Sequence, residues 1–512
     1  MDNLKQSAGK SAFFLTVMGL LSQSVAFFYR VALSRRVGAE IMGLYQLLMP
    51  VYSVLVALTA VGVTAATAHL TALFLAKKSH REVEATIWFS LLLFGLCLLP
   101  VTVVVLLFSD AISVNLLGDA RTQLGLIFLL PCVALTGIEN IHKHYFYGAG
   151  LVKEPSLTEF LEQFVRTAAV LGLLTFLAPK SPEQQVGIIV VGMVVCEVFS
   201  ATSLVALYRR ERATWRDATP KQKPSREVLA KIGKIALPVG AAALLGTLMG
   251  AANAALIPRL LVEGGMAREV AMASFGVLCG MTLPMLGLPT VLLTALNLVL
   301  IPRQARSYAL GRWDEIRRRT NKALLAVSAS MLPAMALLAV IGGDLGVMLF
   351  QNEQVGSYLL PLALASAFSS YQSTLFALLN GIGRQSICAS LSLFAGGTQL
   401  LFTLVIVPRF GLSGFVYGLL FLSGFHTILQ CVIMLKLTKT PLNLFAWLTA
   451  PALSATLMGL CANLLYRAME DAGVETLITL VVVTVFSIVL YSVCMICQGV
   501  SFEALLGKTG RT

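Results

Sequence analysis

Stretches of roughly 20 or more apolar residues recur along the whole chain, each long enough at 1.5 Å per residue to cross a hydrocarbon layer of about 30 Å. Lipid offers no partner to a backbone N–H or C=O, so such a stretch must close its hydrogen bonds within itself, as an α-helix does. The apolar windows lie near 11–33, 41–75, 84–108, 123–148, 156–177, 185–208 and 232–261, then 271–301, 320–342, 354–380, 385–407, 411–436, 443–466 and 475–498. They predict an all-α polytopic membrane protein of about 14 transmembrane helices, with both termini on the same side. With 57% hydrophobic and 12% charged residues, the chain has too little polar surface to stay dispersed in water.

Lys5 and Lys10 precede the first window, as basic residues precede a secretory signal. That window is too long for one, carries Arg30 near its far end and leads to no small-x-small cleavage pattern, so it reads as a mature helix. The nine cysteines lie almost entirely inside apolar windows and read as small packing residues. Cys494 and Cys497 make a C-x-x-C, but no second pair stands nearby to complete a metal site.

The distribution of charge tests the helix count. With the N-terminus inside, inner loops hold Lys77, Lys78 and Arg81, then the run from Arg209 to Lys234, then Arg303 to Lys322, Lys436 and Lys439. Outer loops hold Asp110, Asp119, Glu263, Glu269, Asp344, Glu353, Glu470 and Asp471. Most of the 38 Lys and Arg residues therefore fall on one face, as the positive-inside rule requires. The net charge of +13 is accounted for by orientation and anionic lipid, without nucleic acid as a partner.

The longest polar interruption, from Arg209 to Lys231, holds two prolines and reads as a linker between two six-helix lobes. The expected organisation is a first lobe at 1–208, a basic linker at 209–231, a second lobe at 232–440 and a two-helix appendage with a tail at 441–512. Internal echoes support a repeat. Arg30 and Tyr45 are matched by Arg259 and Phe275 at nearly the same separation, and Thr64-Ala65 by Thr294-Ala295. Gly148-Ala149-Gly150 is matched by Gly381-Ile382-Gly383. Both halves start on the same side, so a pseudo-twofold along the membrane normal should relate them. Gly246-x-x-x-Gly250, Gly276-x-x-x-Gly280 and Gly414-x-x-x-Gly418 permit close helix approach, and Pro50, Pro131, Pro238, Pro258, Pro284, Pro289, Pro333 and Pro361 permit kinks.

LLSQSVAFFYRVALSRRVGAEIMGLYQLLMPVY, from Leu20, resembles the first-helix signature of a known group, and LPTVLLTALNLVLIPRQARSYALG, from Leu288, its eighth-helix signature. EQFVR from Glu162 resembles its fifth helix, and LNGIGR from Leu379 the end of its tenth. The group is the stage V sporulation protein B branch of the polysaccharide-exporter and lipid II flippase family, in the superfamily that includes multidrug and toxin extrusion (MATE) transporters. The resemblance covers nearly the whole chain. It implies two six-helix bundles around a central cavity, alternating access and a polyprenyl-pyrophosphate-linked saccharide as cargo. With the basic loops inside, both termini are expected on the cytoplasmic side of a bacterial cytoplasmic membrane, and neither a cofactor nor an enzymatic activity is expected.

Charges inside the apolar windows are the strongest candidates for function, because an ionised group in the bilayer core costs at least about 2–3 kcal/mol unless it faces a cavity or a partner. Glu159, Glu162 and Arg166 share one face of the fifth window, with Glu162 and Arg166 at the favourable i, i+4 spacing. They read as cavity lining or as a structural pair between helices. Arg30 and Arg259 occupy repeat-equivalent places in the outer third of their spans, where a long side chain either snorkels or faces the cavity. A guanidinium suits a diphosphate because its fork gives two parallel hydrogen bonds. Glu197 lies mid-span in the sixth window and is, with Glu159, a candidate for ion or proton coupling, a structural carboxyl being the alternative. His69 and Asn297 complete the cavity candidates. Glu139, His142, Lys143 and His144 lie close to the inner interface and read as snorkelling. Ala395 and Gln399 stand where the second half matches Glu162 and Arg166, so the first lobe should read most of the cargo headgroup.

The expected partners are thus the lipid-linked saccharide, membrane lipids, and a coupling cation or the membrane potential. Neither a catalytic set nor a metal site is expected. A cation-coupled drug antiporter of the MATE type is the alternative, although the first window offers Arg30 and no carboxylate. A non-transporting scaffold or regulator ranks below it. An embedded transferase is disfavoured by short outer loops without histidine.

Overall fold

The computed structural model describes residues 2–215, 226–441 and 444–499, and among these there is no strand. The helices are α1 (Asp2–Val56), α2 (Gly62–Ala76), α3 (His80–Leu107), α4 (Ser109–Ala111), α5 (Gln123–Gly148), α6 (Lys153–Phe176), α7 (Pro182–Ala213), α8 (Arg226–Glu263) and α9 (Arg268–Gly276). They continue with α10 (Leu283–Gly287), α11 (Val291–Ala309), α12 (Trp313–Phe350), α13 (Leu359–Gly381), α14 (Gln385–Thr438), α15 (Ala450–Asp471) and α16 (Thr476–Cys497).

Among the described residues, 11 helices are long and apolar enough to span a membrane. Two are too long for one crossing: Val17–Ala76 has 60 residues and Gln385–Thr438 has 54. Each breaks at a glycine with positive φ, Gly38 at 80° and Gly411 at 61°, a backbone that strains an L side chain and costs glycine little. With a span on either side of each glycine, and with α6, which carries several charges, the helices match the windows of the sequence at about 14. One window is not a single helix. The expected span at 271–301 consists of α9, a π-helical stretch Val277–Thr282, α10 and α11. Pro284 and Pro289 fall within this broken stretch, where each removes an N–H from the helical ladder.

The chain forms two compact units, Met1–Gly276 and Val277–Thr512. In the first, α7 packs on α5 and α6, α1 on α6 and α9, and α2 on α5 and α8. Small residues set how closely these helices meet. A Cβ on Gly62 would collide with the carbonyl oxygen of Ala236 on α8, and one on Gly276 with that of Ala39 on α1. These contacts tie α8 and α9 to the first unit, so the compact units divide later in the chain than the linker at 209–231. Residues 216–225 of that linker, and the tail from 500 to 512, lie outside the described residues. Not every small-residue motif is used: no atom of another element comes within 4 Å of a Cβ built on Gly246 or Gly250. One apolar core of this unit joins Leu70, Phe74, Val83, Phe89, Tyr145, Leu204 and Ile232, from α2, α3, α5, α7 and α8.

In the second unit α13 packs on α11, α12 and α14, while α15 and α16 pair and dock on α12. Ile341, Ala462, Tyr466, Leu480 and Val483 form one apolar contact of this hairpin with α12, and Ala455, Met458, Tyr491 and Met495 a second on the same hairpin. All nine cysteines are unpaired, Cys494 and Cys497 included.

Candidate functional site

The charged face of α6 meets α5 and α7 within the first unit. Glu162 and Glu197 retain only 5% and 3% of their surface, so neither is solvated by water from bulk. The Arg166 guanidinium sits between them, with Nη2 at 2.5 Å from Glu162 Oε1 and 3.9 Å from Glu197 Oε1. Its Nε donates to the Cys196 sulfur at 3.4 Å, and the thiol of Cys196 donates to the Met193 carbonyl at 3.0 Å. The i, i+4 pair on α6 is therefore closed by α7, which contributes consecutive residues Cys196 and Glu197.

A second cation continues the network. Lys143 Nζ on α5 lies 3.1 Å from Glu159 on α6 and 3.8 Å from Glu139, one turn before it on its own helix. Glu139 is 5% exposed and lies within electrostatic reach of Glu197. Thr136 joins from α5, donating to the Cys132 carbonyl at 2.8 Å, with the Tyr52 hydroxyl of α1 at 2.8 Å from its oxygen. Three buried carboxyl groups, Glu139, Glu162 and Glu197, and the half-exposed Glu159 thus share two cations, an excess of acid over base that protons or a cation must balance.

The candidates from sequence divide accordingly. Glu159, Glu162, Arg166 and Glu197 come together. Arg30 is half-buried on α1 and has no ion pair among the described residues. Tyr29 and Tyr45 of the same helix lie within electrostatic reach of both Arg30 and Arg166, and the Tyr29 hydroxyl is buried without a hydrogen-bond partner. Arg259 is not part of this group. It is exposed, with Nε 3.1 Å from Glu263 and Nη1 donating to the Asn115 carbonyl at 3.2 Å. His69 is exposed on α2. Asn297, in the second unit, donates to Ser373 Oγ at 3.0 Å while its Oδ1 is buried and unpartnered.

The snorkelling expected of the Glu139 to His144 segment does not occur. Glu139 and His142 are buried, Lys143 is held between two carboxylates, and the ring of His142 is edge-on to Tyr208 with Nδ1 at 2.7 Å from the Ile138 carbonyl. The i, i+4 spacing of Glu139 and Lys143 was a usable signal, as it was for Glu162 and Arg166. No local pattern pointed to Cys196, Thr136 or Tyr52, which enter only because their helices meet there. Glu162, Cys196 and Glu197 offer ligand atoms within 4.8 Å of one another, the spacing a metal ion needs. Arg166 already occupies those atoms, so an ion would have to displace a guanidinium.

At the positions matching Glu162 and Arg166, the second unit is neutral. Thr398 Oγ1 lies 2.9 Å from the His426 ring, and Gln372 donates to the Ser423 carbonyl at 3.0 Å.

Among the described residues, long apolar helices without a strand, several of them carrying buried ion pairs, define a polytopic membrane protein. The lipid II flippase MurJ in its inward closed conformation is similar in fold, with a TM-score of 0.71 at 13% identity, over 97% of this chain and 99% of that one. An inward-facing multidrug resistance MATE family transporter of the MOP superfamily is similar with a TM-score of 0.65 at 16% identity, over 84% of this chain and 100% of that one. Stage V sporulation protein B of Bacillus subtilis (strain 168) is 22% identical over 414 residues, 80% of each chain. The model of the polysaccharide biosynthesis protein family matches residues 8–307. The chain belongs to that family.

Proposed function

We propose that the protein is a flippase that carries a polyprenyl-pyrophosphate-linked saccharide from the inner to the outer leaflet of a bacterial cytoplasmic membrane by alternating access, both termini being cytoplasmic. The observation that carries this reading is Arg166, a guanidinium held inside an apolar helical unit between Glu162 and Glu197. A diphosphate offers the same planar, bidentate partner as a carboxylate, with more charge, and can therefore compete for it. Arg30, with no ion pair among the described residues, supplies a second cation on the neighbouring helix. Arg259 and His69, elsewhere in the same unit, are further contacts for the cargo, and Glu162 is the group that cargo displaces.

Displacement has a consequence for energy coupling. A carboxylate that loses its guanidinium in low dielectric must take up a proton or a cation or stay uncompensated. Glu162 then joins Glu139, Glu159 and Glu197 as a set that exchanges charge with each transport cycle. The single charge of Lys143 offsets one of Glu139 and Glu159 and leaves the other to be balanced with the set. The likeness in fold to a lipid II flippase and in sequence to a sporulation protein supports cargo of the cell-envelope class. The surplus of carboxyl groups supports a second reading, a cation-coupled drug antiporter, which the fold of the MATE transporter also accommodates.

The test is reconstitution of the full chain into proteoliposomes with a fluorescent polyprenyl-pyrophosphate saccharide. Movement between leaflets is expected with the wild type and not with Arg166→Gln. Equal rates for both proteins refute the role of Arg166, and dye efflux without lipid movement favours the antiporter.

A further inference from the structure

A cavity of about 330 Å³ opens in the second unit where α12, α15 and α16 meet. It is lined by Asp344, Val347 and Met348 of α12, Tyr466 and Glu470 of α15, and Val474, Thr476 and Thr479 around the start of α16. Its floor is the apolar contact of Ile341, Ala462, Leu480 and Val483, which fixes the hairpin on α12. None of these residues belongs to the charged cluster of the first unit.

Two features make this more than a gap between helix ends. Asp344 and Glu470 are carboxylates from different helices on one cavity, and among the described residues neither has an ion pair. Thr479 is 2% exposed, and its Oγ1 has no hydrogen-bond partner. An unsatisfied buried hydroxyl is unfavourable, and a ligand donating to it would remove that cost. The remaining walls, Val347, Met348 and Val474, are apolar, and Tyr466 adds an aromatic side chain to the lining.

The size decides between kinds of cation. A hard divalent ion draws oxygen ligands to about 2.3–2.6 Å on all sides, whereas this space is of the order that encloses a small organic molecule. Two carboxylates, hydroxyls and an apolar wall match a positive head on a methylene stem.

We propose that this cavity binds an alkylammonium group, a primary amine on an aliphatic stem, presented either by a free diamine or by an ethanolamine lipid headgroup. The occupant bridges α12 to the α15–α16 hairpin and so couples the last two helices to the body of the second unit. The site is independent of the flippase reading, since no residue in it contacts the Arg166 cluster.

The experiment measures equilibrium binding of labelled putrescine to the full chain in phosphatidylcholine nanodiscs. Saturable binding is expected, weakened at least about tenfold in Asp344→Asn and in Glu470→Gln and retained in Thr479→Ser. Both carboxylates lack a partner to lose, so these variants keep the fold, which circular dichroism checks. Repeating the measurement with phosphatidylethanolamine in the discs separates the sources: competition identifies the lipid headgroup, and unchanged binding identifies the free diamine. Absence of saturable putrescine binding in both lipids, binding that survives the paired substitution, or calcium binding at the site without amine binding overturns the proposal.

Discussion

Arg166→Gln should be strongly destabilising, and most of that loss should vanish when Glu162→Gln is added. The wild-type guanidinium lies 2.5 Å from Glu162 and 3.9 Å from Glu197, both carboxylates being almost fully enclosed. Removing the cation leaves buried acids without compensation, a change worth about 3–5 kcal/mol. Replacing Glu162 as well removes the closer of the two uncompensated acids and leaves Glu197, so the double variant should lie within about 2 kcal/mol of the wild type. The coupling energy, the sum of the two single losses less that of the double variant, should therefore be at least about 1 kcal/mol. It can be measured by unfolding the four proteins in mixed micelles of rising sodium dodecyl sulfate content, following helix loss by circular dichroism. A coupling energy below about 0.5 kcal/mol refutes the pair as a buried interaction and places it with exposed salt bridges. The same double variant separates stability from function. It should fold and move no lipid-linked saccharide; transport at the wild-type rate would remove Arg166 from the cargo path.

Gln399→Ala, at the matching place in the second unit, should leave transport within about twofold while Arg166→Gln lowers it at least tenfold, because only the first unit holds an ionised group there. Equal losses in proteoliposomes defeat that asymmetry. Gly62→Val places side-chain atoms against the Ala236 carbonyl and should cost about 1–3 kcal/mol, read as a lower melting temperature; an unchanged melting temperature refutes the close packing of α2 on α8. Lys143→Met exposes Glu139 and Glu159 to each other without their shared cation and should cost about 1–3 kcal/mol in the same micelle titration. A loss no larger than that of an exposed pair, about 0.5 kcal/mol, would return Lys143 to the interface.

Reading the site from the chain succeeded where partners lie one helical turn apart. Glu162 and Arg166 are such a pair, and Glu139 and Lys143 are another, although the nearness of the second to the inner interface argued for snorkelling. It failed where the partner lies on another helix. Cys196 and Thr136 carry no motif, and Lys143 reaches Glu159 across the connection between α5 and α6. Arg259 shows the converse: its repeat-equivalence to Arg30 is plain in the sequence, yet Glu263 and the Asn115 carbonyl hold it apart from the cluster.

Hydropathy and the approximate number of spans were legible in the amino-acid sequence alone, because each is a local property summed over a window of about 20 residues. The turns at Gly38 and Gly411 were settled only by the folded chain, as was the attachment of α8 and α9 to the first unit. So was the meeting of Arg166 with Glu197. In helices that are apolar on nearly every side, composition does not single out the face that will be buried. That choice falls to shape: where Gly62 lets Ala236 approach and Gly276 lets Ala39 approach, the helices settle, and the buried charges find each other as a result.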